Sequence, residues 1–301
     1  MTNLQELLQR RCLELLSIPS VTGQENAITS HLEAWAHSLS VFANGGVRRL
    51  GNNLVLGQPS DKPLIALVGH TDTVPPTADY NGPKQDGDRI IGLGASDMKG
   101  SIAVMQVLIE QLDIAKLPFS LLLILYDKEE GPYADNGLQP VLDAESWLSE
   151  IDLAIAMEPT DNTLQLGCVG SIQAEVIFHG KAAHSARPWQ GDNAIHHAAP
   201  LLEALRNRPV RSVDVDGLIF IGYNATLAHG SRARNVIPDR FTVTLNSLCA
   251  QGQHRKRYRE RPRRVACSSA SSGILIKDIA PQDLCPRATH WNISSTAPHS
   301  L

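Results

Sequence analysis

Three continuous apolar runs constrain this chain more than any other feature. They are LIALVG at residues 64–69, SLLLILY at 120–126 and the stretch 153–157. Runs of this length without alternation are typical of strands buried on both faces, which occur in parallel sheets with helices packed above and below. The intervening segments supply those helices. Leu4, Leu7, Leu8, Leu15 and Leu16 form a helical stripe over 3–17, a second helix is expected over 25–38, and Gly100–Leu112 repeats at helical spacing. Short strands are expected at 47–50 and 54–56, split by the turn Gly51-Asn52-Asn53, with a further strand at 89–92. Strands alternating with helices predict an α/β domain over residues 1–169 with a mostly parallel sheet.

After Gly170 the pattern changes. Ile172, Ala174, Val176 and Phe178 alternate with polar residues, as in a sheet with one wet face. A helix is expected over 192–205, and strands over 218–221 and 241–245. This is the beginning of a small α+β domain over 170–246. From Ser247 the pattern dissolves. Residues 254–264 (HRKRYRERPRR) are nearly all basic, 266–272 (ACSSASS) are of low complexity, and only Gly273–Ile279 looks orderable. The chain carries 27 Lys+Arg and 31 Asp+Glu, a net charge of −4. Nine of those cations and three of those acids lie from Ser247 on, so the tail is basic and the rest strongly acidic. Such a break has the composition of an out-of-frame translation, and residues 247–301 are expected to be largely disordered. They would then leave the small domain with an open sheet edge. A basic run of this kind could bind nucleic-acid phosphates, but it is more often a solvated face. No apolar run reaches the roughly 20 residues of a membrane helix. The N-terminal stretch has helical periodicity rather than a signal-peptide core, and the five Cys form no CxxC pair. A cytoplasmic protein with free thiols is expected, with Cys168 a core thiol.

The polar residues at the strand ends carry the chemistry. The run 64–69 ends in His70-Thr71-Asp72, where residues i and i+2 point the same way, so the carboxylate can hold the second ring nitrogen of a ligating imidazole. Asp97 precedes the helix at 100–112, a position that an ordinary N-cap also occupies. The run 120–126 ends in Asp127-Lys128-Glu129-Glu130, whose adjacent glutamates can divide the roles of metal ligand and general base. The third run ends in Glu158. One His and several carboxylates converging at one sheet edge suit a divalent cation, Zn²⁺ above all.

At this point the chain resembles a known family. HTDTVP (70–75), GASDMKG (94–100), EEG (129–131), MEPT (157–160), GKAAHSARPW (180–189) and NVIPD (235–239) are similar, in this order, to the co-catalytic zinc amidohydrolases of the aminoacylase/carboxypeptidase superfamily. HSARPWQGDNAIH (184–196) looks most like the desuccinylase branch, with acetylornithine deacetylases as the neighbouring branch. The resemblance implies a zinc-peptidase-like catalytic domain and a lid or dimerisation domain, here incomplete. It also implies hydrolysis of an N-acyl amino acid by a homodimer. His70 and Glu158 would ligate one Zn²⁺, Asp97 would bridge two, and Glu130 would bind the second, with Co²⁺ able to substitute. Asp72 would orient His70, and Glu129 would be the general base. His184 would stabilise the oxyanion in the partner subunit's active site, and Asn235 would sit near the substrate. His179 reads as structural, His196 and His197 as solvated, and Trp189 as a packing residue of the lid. The resemblance ends at Asn246: Leu248 stands where the family carries an Arg for the substrate carboxylate, and the late His of the second metal has no counterpart.

Overall fold

The computed structural model describes residues 4–164, 170–209, 211–215, 218–221, 223–249 and 272–279. They fall into two compact units, one within residues 1–167 and one within 168–286.

In the first unit, α1 (Leu4–Leu16) and α2 (Asn26–His37) lead into β1 (Val47–Leu50), β2 (Asn53–Leu56) and β3 (Leu64–His70). A small hairpin of β4 (Lys84–Asp86) and β5 (Arg89–Ile91) comes next, then α3 (Lys99–Gln111), β6 (Ser120–Tyr126), α4 (Leu138–Ala144) and β7 (Leu153–Ala156). The sheet order is β1-β2-β6-β3-β7. β3 pairs in parallel with β6 and β7, from Leu64↔Ser120 to His70↔Tyr126 on one side and Ile65↔Leu153 to Val68↔Ala156 on the other. β2 is antiparallel to both β1 and β6, so four of the five strands point one way.

The runs of β3 and β6 are continuous because both faces of the sheet are covered there; β7, also expected to be buried on both faces, is instead the edge strand, with Leu153 and Ile155 exposed. Leu67, Leu123 and Leu125 pack with Leu15, Leu16, Ile28, Leu32, Ile102 and Met105 from α1, α2 and α3. The alternate residues Ala66, Val68, Leu122, Ile124 and Tyr126 pack on the other face with Leu138 and Val141 of α4 and with Leu148 and Ile151. The stripe on α1 is offset from the expected one: Leu4 is exposed, and Leu7, Cys12, Leu15 and Leu16 are buried. Gly69 has a packing reason. A Cβ there would lie 2.5 Å from Met98 Cε and 3.0 Å from Met105 Cε, so the two methionine side chains occupy the space a side chain would need and would have to move aside.

The second unit contains β8 (Gly170–His179), β9 (Ala183–His184), α5 (Ala194–His197), α6 (Ala199–Arg206), β10 (Arg211–Val215), β11 (Leu218–Ile221), β12 (Tyr223–Gly230), β13 (Val236–Ile237), β14 (Arg240–Cys249) and β15 (Ser272–Ile279). Its main sheet is antiparallel in the order β12-β14-β8-β15. Val176, Phe178 and Val243 pack with Ala194 and Ala198. The single helix expected over 192–205 is two helices. Pro200 sits in the first turn of α6, where its missing N–H costs nothing, whereas inside a continuous helix it would remove a hydrogen bond. β10 and β12 were not apparent in the sequence. Leu227 shows why for β12: it is exposed, so the strand has no face that must be apolar. The sheet edge expected to stand open is occupied, because β15 pairs along β8 from Ser272↔Phe178 to Ile279↔Ile172. That strand coincides with the stretch singled out as orderable. Ser247, Leu248 and Cys249, expected to begin the disordered tail, instead end β14 and pair with β8; residues 250–271 and 280–301 lie outside the described residues. No helix among the described residues is long and apolar enough to cross a membrane.

Leu123 on β6 is fully buried at the centre of the first unit's sheet. Leu123→Ala is expected to lower stability by about 2–5 kcal/mol through lost transfer energy and the cavity left behind. Urea unfolding monitored by circular dichroism checks this.

Candidate metal centre

The C-terminal ends of β3, β6 and β7 lie side by side, the usual position of ligand sites in open α/β sheets. Each end delivers one polar group or more. His70 is the last residue of β3 and is fully buried. Its Nε2 lies 2.9 Å from Asp97 Oδ1 and 3.9 Å from Glu158 Oε2. Its Nδ1 lies 3.3 Å from Asp72 Oδ1 and 3.1 Å from the Asp72 carbonyl oxygen. Asp97 is presented by the loop before α3, where Gly94 takes a left-handed φ of 82° and the Asp97–Met98 peptide is cis. The loop after β6 is fixed by Asn53, whose Oδ1 accepts the Asp127 N–H at 2.8 Å, and by Gly137, whose N–H reaches the Asp127 carbonyl at 3.0 Å. Asp72 accepts two further N–H groups of this loop, that of Glu129 at 2.9 Å and that of Glu130 at 3.1 Å.

Two sets of donor atoms result, His70/Asp97/Glu158 and His70/Glu129/Glu130, each with its ligand atoms within 4.8 Å of one another. Their electrostatics reflect the crowding. Burial, reinforced by Glu158, Glu130 and Asp72, pushes Glu129 up to about 8 against the pull of His70. Burial and Asp97 push Glu130 up to about 7. Burial, with Asp97 and Glu130 nearby, does the same for Glu158, again to about 7. Burial alone would lower the pKa of His70, but its contacts to Asp72 and Asp97 hold it well above the usual imidazole range. Asp72 is the opposite case: burial would raise it, yet His70, the Glu129 N–H and Thr22 bring it below the usual carboxylate value. Glu158 Oε2 is buried without a hydrogen-bond partner. An orphaned buried carboxylate oxygen facing an imidazole and further carboxylates fits a divalent cation, and one nitrogen with several oxygens is a donor set that zinc accepts.

His184 and Asn235 belong to the second unit. They are neighbours there: β9 and β13 pair His184 with Val236, and the Ser185 N–H donates to the Asn235 carbonyl at 2.9 Å. Both side chains are exposed. His197, expected to be solvated, is engaged by Asp192 Oδ1 at 2.8 Å and by the His179 carbonyl at 3.0 Å. Trp189, expected to pack, is 77% exposed. Cys168 lies outside the described residues. Sequence reasoning missed Asn53, whose signal was an Asn at the start of an apolar strand and next to a turn.

A peptidase dimerisation domain matches residues 166–266, a span that extends past Asn246. A putative succinyl-diaminopimelate desuccinylase of Mycobacterium tuberculosis H37Rv is 37% identical over 236 residues, covering 77% of this chain and 65% of that protein. The succinyl-diaminopimelate desuccinylase of Xylella fastidiosa 9a5c is 31% identical over 261 residues, covering 81% of this chain and 68% of that protein. A metallo-carboxypeptidase of the M20 family from Sulfolobus solfataricus has the same fold, with a TM-score of 0.58 at 16% identity over 82% of this chain and 72% of that one. The chain belongs to the M20 family. It spans just under two thirds, 65%, of the Mycobacterium relative it matches.

In the metal-free chain the raised glutamates set a pH dependence. A carboxyl whose folded pKa lies above its unfolded value stabilises the fold at low pH, and that contribution fades from about 4.5 upward through the folded values of about 7 to 8. His70 acts in the same direction, while Asp72 is already ionised throughout this window. The metal-free chain is therefore expected to melt at a lower temperature at pH 8 than at pH 6.5, and saturating Zn²⁺ to remove the difference. Differential scanning calorimetry at both pH values decides; equal melting temperatures without metal would contradict it.

Proposed function

We propose that this chain is the core of a zinc-dependent amidohydrolase that cleaves N-succinyl-LL-diaminopimelate to succinate and LL-diaminopimelate. In this reading it works in the cytoplasm as a homodimer assembled through the second unit, and Co²⁺ can replace zinc. The observation that carries the reading is the meeting of His70, Asp97, Glu129, Glu130 and Glu158 in two overlapping donor sets. Sequence likeness to desuccinylases supports the substrate.

His70 and Glu158 would hold one cation, Asp97 would bridge it to a second, and Glu130 would hold that second ion. A bound pair of cations supplies Lewis acidity, which polarises an amide carbonyl and lowers the pKa of water toward neutrality. The remaining steps belong to the chain's own residues. Asp72 keeps His70 in one tautomer and orientation. Glu129 accepts a proton from the attacking water as its oxygen bonds to the acyl carbon. It then returns that proton to the leaving amine nitrogen as the C–N bond breaks. Burial raises its basicity, which suits a group that must take up and release a proton near neutral pH. His184, contributed by the partner subunit, donates to the oxyanion, and Asn235 lies near the bound substrate.

Glu129→Gln is expected to reduce succinate release by about 10²–10⁴-fold with zinc content unchanged, because the base is not a ligand. Loss of zinc in that variant would exchange the roles of Glu129 and Glu130. Assayed side by side, N-succinyl-LL-diaminopimelate should turn over faster than N-acetylornithine. The reverse order would assign the chain to the acetylornithine deacetylases.

A further inference from the structure

Asp72 holds more than an imidazole. Its side chain is fully buried, and its oxygens accept three hydrogen bonds and face the His70 ring, so that four groups from three segments surround them. Oδ1 faces His70 Nδ1 at 3.3 Å and the Glu129 N–H at 2.9 Å. Oδ2 accepts the Glu130 N–H at 3.1 Å and the Thr22 hydroxyl at 2.8 Å. A carboxylate offers about four lone-pair positions, so this one is saturated. The shorter bond on Oδ2 comes from Thr22, which lies in the connection between α1 and α2 and outside all the strand-end motifs.

That connection is itself braced. Ser20 Oγ donates to the Thr71 carbonyl at 2.7 Å, the Thr73 N–H to the Ser20 carbonyl at 2.9 Å, and the Thr22 N–H to the Thr73 carbonyl at 3.1 Å. Gly23 turns the chain with a φ of 86°, and its N–H is held at 2.6 Å by the fully buried Glu25. The Thr22 methyl reaches the other side of the same loop, since a Cβ on Gly131 would lie 3.0 Å from it. Thr22 thus bonds Asp72 with its hydroxyl and fills with its methyl the space that a side chain at Gly131 would need.

We propose that Thr22 is a positioning residue of the metal centre, fixing through Asp72 both the His70 ring and the Glu129–Glu130 peptide. Its role toward metal rests on the metal-centre reading above; its role toward the loop does not. Without the hydroxyl, Oδ2 keeps only the 3.1 Å bond from Glu130. The carboxylate is then held less tightly, and any tilt of its plane moves the Oδ1 that faces His70 and holds Glu129. Loss of such an outer partner typically weakens metal binding by about 10–100-fold.

The test compares the full chain with Thr22→Val, Thr22→Ser and Ser20→Ala. Ser20→Ala removes a bond in the same segment but none to Asp72. Amide hydrogen exchange of a peptide covering residues 127–131 is measured on the metal-free proteins, and Zn²⁺ affinity by competition with a chromophoric chelator. Thr22→Val should speed exchange in that peptide and weaken Zn²⁺ by about 10–100-fold. Thr22→Ser and Ser20→Ala should leave both near the unaltered chain. Thr22→Ala gives the same reading should valine prevent folding. Unchanged exchange in a folded Thr22→Val overturns the proposal, as does an equal effect of Ser20→Ala. An unaltered chain that binds no Zn²⁺ defeats the metal-centre reading instead, and exchange still decides the role of Thr22 in the loop.

Discussion

Gathering three glutamates and two aspartates around one buried imidazole poses a charge problem. Carboxylates withdrawn from water repel one another and lose hydration, and they are tolerated only when protonated or matched by positive charge. In the metal-free chain protons ease the crowding: Glu129, Glu130 and Glu158 are pushed up to about 7 or 8, and the neighbouring Asp72 and Asp97 raise the pKa of His70 well above its usual range. Glu158 Oε2 is left without any hydrogen bond. A cluster with this much suppressed negative charge is poised to exchange its protons for a cation, which is why metal binding and folding are coupled at such sites.

The rest of the first unit holds that cluster in place. Parallel pairing of β3 with β6 and β7 brings three strand ends into one row. A one-residue slip would turn His70 to the other face, and the two apolar layers beneath it forbid that slip, because Leu122/Ile124 and Leu123/Leu125 serve different cores. Gly69 lets Met98 and Met105 close against the strand just before the histidine. The loops are then tied to buried polar groups, Asn53 and Gly137 to Asp127, and Asp72 to Glu129 and Glu130.

How much of this could be read from the sequence follows from the physics of each element. The runs at 64–69 and 120–126 announce β3 and β6 because burial on both faces removes every polar alternative. His70, Asp97, Glu129, Glu130 and Glu158 were legible because chemistry-bearing residues stood at the ends of such runs in a recognisable order. Thr22 was not, since its importance arises from a contact 50 residues away in sequence. β12 has an exposed Leu227 and so lacks a face that patterning can reveal. His197 looked solvated because its partners, Asp192 and the His179 carbonyl, meet it only once the loop between them is folded.

The central claim is that His70 and the strand-end carboxylates form the metal centre, rather than any cysteine. X-ray absorption spectroscopy at the zinc edge of the zinc-loaded chain tests it most directly. The account predicts a first shell of oxygen and nitrogen at about 2.0–2.2 Å, with an imidazole signature that disappears in His70→Ala. Sulfur scattering at about 2.3 Å, or an imidazole signal that survives His70→Ala, would contradict it.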